Sequence, residues 1–339
     1  MRQVSEKATR KELIDPALEK AGWHLKNHAQ VGLEIPVDGY DAEPWNGVTD
    51  YCLYRENGEV LAVVEAKRTS HDPRFAQQQT EHYVTEVSKH QSFQPFAFMT
   101  NGVDFYFLDM GYAPKRMVYG FFSPDDLERL LFQRQQKKPL HSIAIDNTIT
   151  DRVYQHEAIR RVCEAFDAGK RKALIVMATG TGKTRTTMSI IDVFLRANQS
   201  RTILFVADRD ALVTQAKTDG FEKFLPYEPC DRIYSHTIDK TKRLYAVTLQ
   251  TLSNIFEEFS PAFFDLIIFD EVHRSIFNTF SEVLQYFAME RFLYRLGRSP
   301  HRERFVLKGA TLFAIWGTAL VALAWVTRST RRRAKTGRK

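Results

Sequence analysis

Four unbroken apolar runs, "ALIVMAT", "TILFVAD", "LYAVTLQ" and "DLIIFDE", lie between residues 173 and 271 with helical stretches between them. A strand open to water on one face alternates apolar and polar residues, whereas one that is apolar throughout is covered on both faces. Strands of that kind separated by helices pack as a parallel sheet with helices on either side. The chain from Asp151 onward is therefore expected to be an α/β domain.

The earlier half has a different grain. Residues 9–21, "TRKELIDPALEKA", have helical spacing at Leu13, Ala17, Leu18 and Ala21, and Gly22 supplies a stop. "DYCLYRENGEVLAVVEAK" reads as two strands about a turn at Asn57-Gly58, and "PFAFMTNGVDFYFLD" as a hairpin about Asn101-Gly102. Residues 74–90 between them look helical. A mixed α/β domain over 1–140 follows, closing in a polar, charged connection, "QRQQKKPLHS" (133–142), with the linker set at 141–151. The parallel-sheet domain spans 152–285, and 286–339 form a divergent tail expected to be helical.

The net charge of +7 suggests an anionic partner until it is located. Seven of the last twelve residues (328–339) are Lys or Arg; without them the chain carries 41 bases and 41 acids. The basicity belongs to a tail, not to the folded body. The cysteines at 52, 163 and 230 form no CxxC pair, which argues against a disulfide framework or zinc site and suits a reducing cytosol.

"IVMATGTGKT" (175–184) follows an apolar strand and precedes a helix. Glycines at 180 and 182 let backbone N–H groups close around phosphate oxygens, and the helix N-terminus adds partial positive charge. Thr179, Gly180, Thr181 and Gly182 would form that cradle. Lys183 would reach the outer phosphates and Thr184 would ligate Mg²⁺. A second metal-holding acid is needed, and Asp270, at the end of "DLIIFDE", is placed for it. Glu271 beside it would polarise an attacking water.

Near the N-terminus, "VLAVVEAK" (60–67) ends a buried strand with Glu65 and Lys67, which share one face because side chains alternate along a strand. An exposed ion pair is the simplest explanation, worth under about 1 kcal/mol. Asp50, fifteen residues earlier, lies on the neighbouring strand of the expected hairpin. Two carboxylates beside a lysine could hold Mg²⁺ at a phosphodiester while the lysine positions a water. Gln79 and Tyr83, at i and i+4, share a helix face. Glu12 on the first helix is a further candidate carboxylate.

These motifs carry resemblances. "DEVHRS" (270–275) is a DEAH-like box of superfamily 2 helicases. "VYQHEAIRRV" is similar to their adenine-reading Q-type motif, with Gln155 as the reader. "FVADRDALVTQA" (Arg209, Gln215) and "VTLQTL" (Thr248, Gln250) resemble their nucleic-acid-contacting motifs Ia and Ib. Asp50, Glu65 and Lys67 match the D…ExK pattern of PD-(D/E)xK nucleases, and Gln79/Tyr83 the QxxxY element of RecB-like members. Together they resemble the N-terminal part of type I restriction enzyme R subunits. That resemblance implies an ATP-binding, Mg²⁺-dependent endonuclease and motor subunit. Its partners would be double-stranded DNA and the methylase and specificity subunits.

After residue 285 the likeness changes. Residues 286–316 resemble the opening of AbiEii-type nucleotidyltransferases, without that family's catalytic elements. Residues 310–327, "ATLFAIWGTALVALAWVT", are uncharged and would span about 27 Å as a helix, enough for a bilayer core. The expectation is a motor cut short before its second RecA-like domain, in a cytoplasmic protein. A non-catalytic assembly remnant and a membrane-tethered nuclease are the competing readings.

Overall fold

The computed structural model describes residues 6–36, 47–178 and 180–270, and the backbone of 310–315. Its first domain is a six-stranded sheet in chain order: β1 (Val31–Pro36), β2 (Val48–Tyr54), β3 (Val60–Ala66), β4 (Phe96–Thr100), β5 (Phe105–Asp109) and β6 (Ala113–Val118). Every pairing is antiparallel except β3 with β4. A parallel step needs a crossover, and helix Gln77–Ser88 provides it. Both expected hairpins form, with Gly58 and Gly102 at φ +84° and +83°, which L side chains rarely adopt.

Each sheet face buries its own set of side chains. One packs Ile14, Leu18 and Trp23 against Val64, Phe98 and Phe122. The other packs Cys52, Val63 and Met99 under Ala76 and Val84 at the crossover helix. This second face carries Glu65 and Lys67 onward from Val63, so the strand ends beneath a helix and not in open solvent.

The second domain has strands β7 (Lys172–Val176), β8 (Ile203–Ala207), β9 (Cys230–Ile233), β10 (Leu244–Thr248), β11 (Leu266–Asp270) and β12 (Ala310–Ile315), ordered β7-β12-β11-β8-β10-β9. The four apolar runs form β7, β8, β10 and β11 as expected. Strands β8 to β11 pair parallel, whereas β12 runs antiparallel to both neighbours. The helical tail is corrected here, because residues 310–315 form a strand. The slot between β7 and β11 presents open ladder groups on both sides, and a strand rich in Thr, Phe and Ile satisfies them. Among the described residues no helix is long and apolar enough to cross a membrane. Residues 316–339, with the remainder of the apolar segment and the basic end, lie outside the described residues.

The polar connection is not free. Leu140 and Ile149 are buried in the second domain's core, and Asp167 accepts the backbone N–H groups of Leu140 and His141. A buried ion network also joins the domains. Arg129, on helix Pro124–Gln136, pairs with Asp126 at 2.9 Å and with Asp265 at 3.0 Å. Asp265 also accepts N–H groups from Arg201 and Thr202 just before β8.

Candidate active site and nucleotide loop

The β2–β3 register pairs Tyr51 with Val64 and Cys52 with Val63, so Asp50 falls opposite Glu65 at the sheet's end. The Ala66 N–H donates to Asp50 Oδ2 at 2.7 Å and fixes that carboxylate. Lys67 Nζ donates to Glu65 Oε1 at 2.7 Å and to Gln79 Oε1 at 3.2 Å. Gln79 Nε2 donates to the Tyr83 hydroxyl at 2.8 Å. All five residues proposed from the sequence therefore converge, and the Gln-Tyr pair proves to be a brace that aims the lysine.

The electrostatics differ from those of an exposed pair. Glu65 is 4% exposed, and its Oε2 is buried without a hydrogen-bond partner among the described residues. Burial, and then the Asp50 charge, push Glu65 up to about 7 against the pull of Lys67. Burial raises Asp50 as well, opposed by the Ala66 N–H and Arg10. Burial works against the Lys67 cation, but Glu65 more than offsets it and the net shift is upward. An orphaned carboxylate oxygen beside a second carboxylate is a pair of hard oxygen donors. Among the described residues no three acidic, His or Cys side chains meet at one point. That fits Mg²⁺, which uses one or two protein carboxylates and keeps water and phosphate as its other ligands.

Sequence reasoning missed Arg10, Glu6 and Glu34. Arg10 Nη1 donates to Asp50 Oδ1 at 3.1 Å and to Glu34 Oε1 at 3.0 Å. Its guanidinium lies 5.0 Å from the Tyr51 ring centroid. Glu6 adds negative charge felt by Asp50, Glu65 and Lys67. Glu12, the acid selected from the sequence, is exposed. A π-type turn at Arg10–Ile14 is the physical reason, since it re-phases the helix beyond what 3.6 spacing anticipates. The i, i+4 relation of Glu6 and Arg10 was the available signal.

In the second domain Gly182 caps helix Lys183–Arg196 in the left-handed region (φ +83°), and Gly180 is also left-handed (φ +78°). Lys183 and Thr184 open that helix. Thr311 pairs with both Ile175 and Asp270, so β7 and β11 end level, two strand spacings apart. Asp270 thus ends level with the start of the loop. Arg209, Gln215 and Gln250 are exposed, and Thr248 caps its helix through the Thr251 N–H. These lie at or beyond the C-terminal ends of β8 and β10, where open α/β sheets hold ligands. Thr179 and Glu271 lie outside the described residues. Gln155 is buried, and its amide nitrogen donates to Thr181 O at 3.1 Å and Gly182 O at 3.3 Å. Its amide nitrogen is spent on the glycine-containing loop, which it holds in shape in this arrangement.

Comparison with known proteins follows the same division. Residues 40–116 match the family "Type I restriction enzyme R protein N terminus" and residues 148–297 the family "Type III restriction enzyme, res subunit". The chain is 32% identical over 305 residues to the type I restriction enzyme EcoAI endonuclease subunit of Escherichia coli, covering 81% of this chain and 36% of that protein. The chain belongs to the N-terminal region of the type I R-subunit family. The EcoKI endonuclease subunit of Escherichia coli K12 is 25% identical over 337 residues, covering 77% of this chain and 28% of its own length. The chain thus spans about a third of the length of these R subunits. The chain is 31% identical over 160 residues to the DNA 3'-5' translocase XPB2 of Sulfurisphaera tokodaii, covering 47% of this chain and 33% of that protein. A solved HsdR fragment from Vibrio vulnificus YJ016 aligns with a TM-score of 0.34 at 26% identity, covering 86% of this chain and 54% of that one.

Proposed function

We infer that this R-subunit region is a Mg²⁺-dependent DNA endonuclease joined to an ATP-binding motor domain. It works on double-stranded DNA with methylase and specificity partners. The observation that carries the reading is the meeting of Asp50, Glu65, Lys67, Gln79 and Tyr83, with a buried Glu65 oxygen left unpartnered. Native structures rarely leave such a group unsatisfied without a ligand or water to meet it.

Asp50 Oδ1 and Glu65 Oε2 would hold the cation. Bound Mg²⁺ supplies electrostatic stabilisation of the charge that develops on the scissile phosphate. The chain's own contribution is placement: the Ala66 N–H fixes one Asp50 oxygen, and Gln79 fixes Lys67 within reach of a water. Lys67, kept cationic by Glu65, orients that water and stabilises negative charge as the P–O bond breaks. In the second domain the loop 178–184 would hold ATP, with Lys183 on the outer phosphates and Thr184 and Asp270 holding its Mg²⁺. Glu271 would then polarise the attacking water.

Plasmid cleavage, with partner subunits, Mg²⁺ and ATP, tests the assignment. Asp50→Ala and Lys67→Ala should each abolish cutting while nucleotide binding is kept, and Lys183→Ala should lose nucleotide binding. Cleavage that persists in Asp50→Ala would remove the nuclease site. Intact binding sites with no cleavage under any condition would instead mark a non-catalytic assembly component.

A further inference from the structure

The nuclease site already contains a cation where an incoming metal ion would have to bind. Asp50 has two oxygens: Oδ2 accepts the Ala66 N–H at 2.7 Å, and Oδ1 accepts Arg10 Nη1 at 3.1 Å. The open position on Asp50 is therefore held by a guanidinium that is only 16% exposed and lies over the Tyr51 ring. A guanidinium cannot shed its charge to make way, so for as long as it stays at Oδ1 it opposes a second cation there.

The same nitrogen has a second carboxylate within reach. Glu34 Oε1 is 3.0 Å from Arg10 Nη1, and Glu34 is largely exposed. It lies between the ladder pairs Leu33–Tyr51 and Ile35–Thr49, opposite Asp50. Its φ is +52°, a left-handed conformation unfavourable for any residue with a Cβ. Arg10 in turn opens the π-type turn of the first helix, a rare irregularity that concentrates at functional sites. Two departures from ideal backbone, in elements far apart in sequence, meet at one guanidinium. A surface ion pair would need neither.

We propose that Arg10 is a positioning residue that competes with the divalent cation for Asp50, and that Glu34 is the carboxylate that retains Arg10 when the cation arrives. This rests on the nuclease reading above. Without metal, Arg10 neutralises Asp50 as Lys67 neutralises Glu65, which lets two buried acids lie side by side. As metal enters, the Arg10–Asp50 contact is exchanged and the Arg10–Glu34 contact is kept. Glu34 therefore lowers the barrier to metal entry, whereas Arg10 raises it.

The two residues should act with opposite signs, which a merely structural pair would not do. Mn²⁺ binding to the full chain is measured by calorimetry without DNA or nucleotide, and the sites lost in Asp50→Asn define the nuclease centre. Arg10→Gln should tighten Mn²⁺ binding there by about tenfold, because a nearby positive charge is removed. Glu34→Gln should weaken it several-fold, because Arg10 then has Asp50 as its remaining carboxylate. The double variant should bind as Arg10→Gln does. Arg10→Met, which keeps an apolar stem over Tyr51, gives the same readout if the Gln variant fails to fold. Unchanged or weaker binding in both Arg10 variants overturns the proposal, as does tighter binding in Glu34→Gln. If Asp50→Asn loses no Mn²⁺, the nuclease reading itself fails. If Asp50→Asn loses Mn²⁺ while the Arg10 variants match wild type, the exchange alone fails.

Discussion

Glu65 shows what one buried acid does to a whole titration curve. Its folded value of about 7 stands above the ordinary 4.5, because burial and Asp50 outweigh Lys67. A raised value means that the folded chain holds this proton more tightly than the unfolded chain. The stability it contributes is complete below 4.5 and is lost as pH rises through about 7. Metal-free protein should therefore lose stability on going from about pH 5 to about pH 8, by on the order of 3 kcal/mol from this group. Glu65→Gln should remove that component of the slope. Mg²⁺ should stabilise the wild type more at the alkaline end, where the carboxylate is ionised and free to bind it. Thermal melts across the range check both effects. A wild-type slope no steeper than that of Glu65→Gln would show that the acid is not perturbed. Lys67→Ala should carry the midpoint of the pH-dependent metal stabilisation to still higher pH, since Glu65 then loses its ammonium partner at 2.7 Å.

At the scale of elements, local sequence rules did most of the work. Asn57-Gly58 and Asn101-Gly102 give tight turns from residue identity alone, and the unbroken apolar runs of β7, β8, β10 and β11 imply a sheet covered on both faces. Gln79 and Tyr83 were legible because residues four apart share one face of a helix. What sequence spacing could not reach was set by tertiary neighbours. Strand β12 forms where β7 and β11 leave a ladder open, so its conformation is dictated by a slot and not by its own pattern. Arg10 and Glu34 meet Asp50 only because a π-type turn and a left-handed residue redirect them. Gln155 adds a contact that its motif does not announce: its amide nitrogen donates to the carbonyls of Thr181 and Gly182 in the loop beside it. This makes Gly182 a sharp test of that element. A Cβ there would sit 2.4 Å from Gln155 Nε2, at a φ of +83° that alanine resists. Gly182→Ala should weaken ATP binding by at least about tenfold and cost roughly 1–3 kcal/mol of stability. Adding Gln155→Ala should recover the steric part of the loss, leaving the part due to φ. A fluorescent-nucleotide titration alongside melts separates the two. Wild-type affinity in Gly182→Ala would mean that the loop does not cradle phosphate in this shape.

Across the whole molecule, the question is whether the two domains act as one body, and Arg129 bears on it directly. Its guanidinium joins Asp126, on its own helix, to Asp265, the residue immediately before β11. Both carboxylates are buried, at 1% and 4% exposure. A buried ion pair is not by itself evidence of stabilisation, since desolvation can cancel the attraction. Removing one partner is different, because it strands charge where water cannot reach it. Arg129→Ala leaves two such carboxylates and should cost about 3–5 kcal/mol. The loss should fall on the docking of the domains, because Asp265 belongs to one and Arg129 to the other. Unfolding should then separate into two transitions, and proteolysis should become fast in the 137–152 connection. Asp265 also accepts the N–H groups of Arg201 and Thr202, so it sets where β11 and β8 begin. Five residues on, β11 ends at Asp270, level with the nucleotide loop. A disturbed interface should therefore reach the proposed nucleotide site as well, lowering nucleotide affinity several-fold without any change to the loop itself. Arg129→Met with Asp126→Asn and Asp265→Asn removes the stranded charges, so it should restore stability while leaving the domains less firmly joined. Calorimetric scans and nucleotide titrations of the single and triple variants distinguish these effects. A single sharp transition at the wild-type temperature in Arg129→Ala would mean that the domains are held together by Ala262, which is buried in the first domain's core, and by the buried connection, and that the ion network is incidental.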